Sequence, residues 1–149
     1  LIQLSALVLD PDKAPQFAAL AGHAGCAQAI TGLLLLLPQH RARGQCYIPG
    51  DILAASGSSS EEFLSGDGGP AAGRVVAAMS ALAREHLSAF HLEAPSLPPS
   101  LRPAFLPLAL TGAYLGRIER LGAAALKSVP RLPLWLRHWL MLRRAMRGW

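Results

Sequence analysis

Apolar residues recur along this chain at spacings of three and four and nowhere alternate one by one, so the pattern predicts helices and no strands. The clearest stretch is residues 71–93. There Val75, Val76, Met79, Leu82, Ala83, His86, Leu87 and Phe90 fall on one face of an amphipathic helix. Residues 1–9 read as the end of a helix, closed by Asp10-Pro11-Asp12. A long helix is expected over 14–37, with Pro15 in its first turn and Pro38 bending or ending it. Residues 40–49 read as a basic loop and 51–55 as a short helix stopped by Gly57. Ser58-Ser59-Ser60-Glu61-Glu62 places serine oxygens and acids where a helix start needs them, and that helix ends near Gly66. Asp67-Gly68-Gly69-Pro70 is expected to be a loop and 95–103 a proline-rich turn. One helix is expected over 104–126, with Pro107 in its first turn, and Pro130 and Pro133 separate it from a last helix over 134–146. The fold class is therefore all-α, with no internal repeat.

Composition narrows the setting. The chain has 149 residues, 52% of them hydrophobic and 15% charged, with a mean hydropathy of +0.32. That suits helices around an apolar cavity or a protein resting on a membrane. The longest apolar run, about residues 24–37, reads as too short to span a bilayer, and no secretory leader is visible. The chain begins at Leu1 inside an apolar stretch, and reads as a fragment whose amino-terminal part is absent. Cys26 and Cys46 are the only cysteines and read as free thiols. His23, His40, His86, His91 and His138 follow no metal-ligand spacing, so no metal site is expected, and His86 and His91 read as boundary or core residues.

Charge is unevenly spread. Of a net +5, residues 1–100 carry −3 and residues 101–149 carry +8, with Glu119 the one acid in the latter. Such a surface meets anions. With no nucleic-acid motif beside it, the expected partners are lipid headgroups or acidic protein, and no nucleic acid. The segment 131–149 is a basic amphipathic tail with five arginines, three tryptophans and no acid. At helical spacing Arg137, Arg144 and Arg147 gather on one side, while Leu136, Trp139, Leu140 and Met146 offer apolar surface. Such a helix, with Arg143 also on it, either lies at a membrane interface or docks on the bundle with its guanidinium heads in water.

The segment from Gly25 to Pro49 carries the most specific signal. It aligns without a gap to G-x-A-x-Q-L-T-N-I-L-R-D-x-x-E-D-x-x-R-G-R-x-Y-L-P, matching at Gly25, Ala27, Thr31, Leu34, Arg43, Gly44, Tyr47 and Pro49. On these residues the chain resembles the squalene/phytoene synthase family. The resemblance implies the carboxy-terminal part of an isoprenoid-synthase-type helical bundle over 1–149. The family's two metal-binding aspartates fall on Leu36 and His40, and the neighbouring glutamate on Gln39. Its glutamine, asparagine and arginine fall on Ala29, Gly32 and Leu35. Ionising a prenyl diphosphate requires Mg²⁺ held by hard oxygen ligands, and leucine supplies none. No catalytic residue and no cofactor are therefore expected.

Tyr114 sits where family members carry a tyrosine that bonds diphosphate, with Arg117 and Arg120 following it, so Tyr114 and Arg43 are candidate anion contacts. The motif loop is marked by Gly44, Tyr47 and Pro49. Leu37-Pro38-Gln39-His40-Arg41-Ala42-Arg43 and Leu132-Pro133-Leu134-Trp135-Leu136 resemble one branch of the family, typified by a mitochondrial complex I assembly factor and its alphaproteobacterial relatives. That resemblance implies a non-catalytic protein that binds a lipid or prenyl chain, or assists a respiratory-complex partner. It would be cytoplasmic and peripheral on the inner membrane if bacterial, and mitochondrial if eukaryotic. The alternative is an active Mg²⁺-dependent enzyme that joins two prenyl diphosphates head to head.

Overall fold

The computed structural model describes residues 1–66 and 69–149; Asp67 and Gly68, part of the expected 67–70 loop, lie outside the described residues. Helices are the only regular elements among the described residues, which hold no strand. Helix α1 (Ile2–Leu9) leads through a 3-10 turn (Ala14–Phe17) into α2 (Ala18–Leu35), followed by α3 (Leu37–Ala42), α4 (Gly50–Ala55) and α5 (Ser60–Ser65). Helix α6 (Pro70–Glu93) is the longest. Then come a 3-10 turn (Ala94–Ser96), α7 (Arg102–Phe105), a 3-10 turn (Leu106–Leu110), α8 (Thr111–Leu121), a further 3-10 turn (Gly122–Leu126) and α9 (Leu134–Arg147).

Helices α2 and α6 form the central pair, with α8 against both and α1 against α2. The buried stripe of α2 is Leu20, Ala24, Ala27, Thr31 and Leu34, three or four apart. Its alanines let α6 come close, so that Val75, Val76, Met79, Ala83, Leu87 and Phe90 fill the space between. Thr31 is the polar member of the α2 stripe, and its hydroxyl donates to the Ala27 carbonyl at 2.7 Å. The first half of α5 is fixed as the sequence demands. Ser59 accepts from the Glu62 amide, and the Glu62 carboxylate accepts from the Ser59 amide, a reciprocal capping box.

Three expectations are corrected. The 40–49 loop begins later, because His40 and Arg41 belong to α3. The single helix over 104–126 is four pieces. Pro103 and Pro107 lack the amide a continuous α-helix needs, and Gly122 turns the chain at φ 51°. The apolar run judged too short for a span continues, as helix, from Ala14 to Leu35, and by length and composition it suffices to cross a membrane. A core helix meets the same measure, and here α2 packs between α1, α6 and α8.

Candidate functional site

The signature segment folds as two helices joined at Leu36. That residue leaves the helical region (φ −96°, ψ 5°), since Pro38 supplies no amide to the Leu34 carbonyl. The turn is nevertheless kept: the Leu36 carbonyl accepts from the amides of Gln39 at 3.0 Å and His40 at 2.9 Å. Leu36 is 41% exposed and Gln39 is exposed, while Leu34 and Leu37 on either side of Leu36 are buried. The His40 ring lies edge-on to Tyr47, centroids 4.9 Å apart, with its Nδ1 buried and without a protein partner. An aliphatic chain, a solvated amide and an imidazole packed on a phenol do not make the hard oxygen cage that Mg²⁺ takes.

The glycine of the motif loop has a backbone role. Gly44 sits at φ 66° just past α3, its amide bonds Arg41 O at 2.9 Å, and the Gln45 amide bonds His40 O at 2.9 Å. This is the left-handed closure that satisfies the last carbonyls of a helix and favours glycine. Pro49 then starts α4, and Tyr47 remains more than half exposed beside the buried Ile48.

Arg41, which the motif treats as a variable position, holds the segment in place. Its Nη2 donates to the carbonyls of Leu64 at 3.0 Å and Gly66 at 2.5 Å, and its Nη1 to Leu126 at 3.5 Å. One guanidinium thus ties α3 to the end of α5 and to the turn after α8. Arg43 is exposed at the end of α3. Tyr114 is half-buried on α8, and no hydrogen bond joins it to Arg43 among the described residues. Sequence reasoning also missed a histidine pair: His23 on α2 and His86 on α6 bring their Nδ1 atoms to 2.9 Å. Nothing in the spacing of 63 residues could have announced it. Among the described residues no group of three or more metal-ligating side chains forms.

The tail departs from its sequence grouping. Helix α9 does dock, its Leu136 and Leu140 half-buried and its packing made chiefly against the 3-10 turn Leu106–Leu110. Arg144 turns inward rather than outward. It is half-buried, with its guanidinium 4.4 Å over the Trp149 ring, and its Nη1 donates to Gly148 O at 3.2 Å. Trp149 in turn meets Phe90 edge-on at 4.7 Å. Trp139 and Met146 are exposed where Leu136 and Leu140 are half-buried, and they join Trp135 and Leu142 on a stripe about 60° wide. Trp135 is 69% and Trp139 52% exposed. Trp135, Trp139 and Leu142 of that stripe, with Leu106, His138, Met141 and Ala145, border an apolar groove of about 870 Å³. Arg137, Arg143 and Arg147 are exposed on the same helix.

Residues 1–138 match the squalene/phytoene synthase family. The chain belongs to that family. Among curated proteins it is similar to the mouse (Mus musculus) NADH dehydrogenase (ubiquinone) complex I, assembly factor 6: 34% identical over 103 residues, covering 67% of this chain and 30% of that protein. The rat (Rattus norvegicus) and cattle (Bos taurus) proteins of the same name are each 33% identical over the same shares. The chain thus spans about 30% of the length of the curated relatives it matches. No solved structure matches it. All-α architecture and family membership agree with the isoprenoid-synthase type of bundle that the signature segment implied.

Proposed function

We propose that this member of the squalene/phytoene synthase family works by binding rather than by prenyl transfer, as an assembly-type factor for respiratory complex I. The observation that carries the reading is the donor set at the second signature. Leu36, Gln39 and His40 stand where metal-binding acids would, in a segment whose backbone, capped at Gly44 and clamped by Arg41, is otherwise well formed. Keeping the scaffold while losing the oxygen ligands removes the means of neutralising a departing diphosphate. Similarity to proteins named as complex I assembly factors supports the choice of role.

The full-length protein, incubated with farnesyl or geranylgeranyl diphosphate and Mg²⁺, is expected to release no pyrophosphate above background and to form no coupled hydrocarbon. Sustained release with a head-to-head product would overturn the reading in favour of an active prenyltransferase. In cells lacking the protein, assembled complex I is expected to fall, and a Leu36→Ala/His40→Ala variant to restore it. Failure of that variant to restore assembly, while it remains folded and present at normal levels, would return these positions to the active machinery.

A second observation favours a membrane setting: the apolar stripe of α9 is exposed, and Arg137, Arg143 and Arg147 are exposed on the same helix. We read this as a peripheral contact with an anionic lipid surface, on the inner membrane of a bacterium or in the mitochondrion of a eukaryote. Tryptophans suit the headgroup level and arginines the anionic charge above it.

A further inference from the structure

We infer that His23 of α2 and His86 of α6 form a two-histidine site for a divalent transition-metal ion of the copper–nickel type, clipped across the central helix pair. Their Nδ1 atoms stand 2.9 Å apart, and the ring planes are inclined at 47°. Ala24, next to His23, and Ala83, one turn before His86, are fully buried and let the helices come close enough for two short side chains to meet. Both rings are half-buried. The sequence expectation of no metal site rested on spacing, which says nothing of residues 63 apart. The pair is also separate from the signature segment. His23 precedes Gly25, and Leu36 lies thirteen residues further on, about 20 Å at helical rise.

Neither ring makes another hydrogen bond among the described residues. Their mutual bond uses one proton, donated by one Nδ1 and accepted by the other. When an ion takes that proton's place, the donating ring carries its proton on Nε2 instead, so no charge is lost and both Nδ1 lone pairs serve the ion. Two nitrogens bound at about 2.0–2.1 Å stand about 2.9 Å apart when they subtend a right angle at the ion, and about 3.3 Å apart at the tetrahedral angle. The observed separation matches the right-angled arrangement that copper(II) and nickel(II) take. The ring centroids are 5.2 Å apart, which sets the two lone pairs nearly in line. Loading therefore requires each imidazole to turn about its Cβ–Cγ bond, a side-chain motion that leaves the helices in place. No third histidine, cysteine or carboxylate completes the set among the described residues, so water fills the remaining positions and the ion is exchangeable. Magnesium, which takes oxygen ligands, is not the ion. Because the two ligands come from different helices, binding ties α2 to α6 and stabilises the fold.

Calorimetric titration and thermal melting of the full chain with nickel(II) chloride test the site. Nickel(II) is the probe because copper(II) also oxidises thiols, and Cys26 is exposed. The variants are His23→Gln and His86→Gln, since glutamine keeps a hydrogen-bonding group there but is a poor ligand. The control is His138→Gln, which removes an exposed histidine of α9. One saturable equivalent of nickel(II) is expected in the wild type and the control, weakened at least about tenfold in each variant, because a single imidazole has lost its chelating partner. Nickel(II) should raise the melting temperature of the wild type and the control but not of the variants, and magnesium chloride should raise none. Titration well below each variant's metal-free melting temperature keeps the comparison on folded protein. In the wild type alone, nickel(II) should perturb amide resonances around His23 and His86 before those around His138. Absence of saturable binding in the wild type overturns the site, as does binding that survives both variants or falls equally in the control, or the reverse order of amide perturbation. The pair is then a hydrogen bond and nothing more.

Discussion

At the scale of single residues, Arg41 has the most at stake. A charged donor shared by three backbone carbonyls from two other parts of the chain replaces hydrogen bonds that water would otherwise make. Removing it leaves those half-buried carbonyls unpaired. Arg41→Ala is expected to destabilise the protein by about 2–3 kcal/mol, read as a lower urea midpoint at unchanged slope, with Arg41→Lys recovering only part because a single ammonium lacks the fork. An unaltered midpoint in Arg41→Ala would contradict the clamp. The neighbouring Arg43, exposed, is expected to change stability little on substitution. Sequence could not rank the two. Both are arginines in a basic heptapeptide, and which one reaches Leu64, Gly66 and Leu126 depends on where α3 stops and on segments 23 to 85 residues away. Gly44 reads in the sequence only as a motif-loop residue, and its capping role follows from α3 running to Ala42, past the helix end expected near Pro38.

At the scale of elements, α9 combines two opposed tendencies, and its docking is the more delicate for it. Its body-facing side holds only half-buried residues, and much of its hold comes from Trp149 beyond its end, against Phe90 and under Arg144. Gly148, at φ 72°, makes that return, and a Cβ there would stand 2.9 Å from Arg102 Nη1. Trp149→Ala is expected to cost roughly 1–3 kcal/mol and to loosen α9 selectively, seen as faster amide exchange in that helix than in α6. Equal loosening of both helices would place Trp149 in the global core instead.

His91 lies in the same corner, 6.1 Å from the Trp149 ring. Burial first, and the Arg144 charge second, lower its pKa below the ordinary histidine value. Its neutral form is thus favoured in the folded chain, and the unfolded chain binds the proton more readily. The contribution is intact above the unfolded value, about pH 6.5, and is lost as pH falls through that value toward the lowered one. Melting temperature should therefore drop more on acidification in the wild type than in His91→Gln, the two converging above neutrality. Parallel curves throughout would remove the histidine from the account. Helix boundaries in the 70–93 and 134–147 regions followed from periodicity and proline. The break-up of 104–126 did not, because a helix-length apolar pattern cannot say how many of its turns tighten to 3-10 around two prolines.

At the scale of the whole molecule, charge and apolar exposure are arranged together. Net +8 resides in residues 101–149, and the largest exposed aromatics lie in that same third of the chain. Leu106 of the 3-10 turn Leu106–Leu110 borders the α9 groove, and its neighbour Pro107 borders a second apolar groove with Leu4 and Val8 of α1. For the proposed membrane contact, sedimentation with phosphatidylglycerol-containing vesicles is expected to be strong at low salt. Reversing two exposed arginines, Arg143→Glu/Arg147→Glu, removes attraction worth about 1 kcal/mol each, before any repulsion, a loss of at least roughly thirtyfold. Trp135→Ser/Trp139→Ser should weaken the binding that survives high salt. Binding indifferent to both variants would leave the stripe to some other use. Arg144 is left out of the reversal because its charge stacks on Trp149.

What the sequence determined by itself was the kind of molecule: an all-helical chain of the squalene/phytoene synthase family, its element starts and stops set by local chemistry such as the Ser59 cap, Pro38 and Gly57. Periodicity, capping and backbone restriction act within a few residues, so they are written in consecutive letters. The tertiary structure alone decided which arginine clamps, that His23 meets His86 and which face of α9 turns outward. Each of these depends on the relative placement of helices far apart in the chain, and that placement is fixed by how the whole core packs, with Ala24, Ala27 and Ala83 letting α2 and α6 approach.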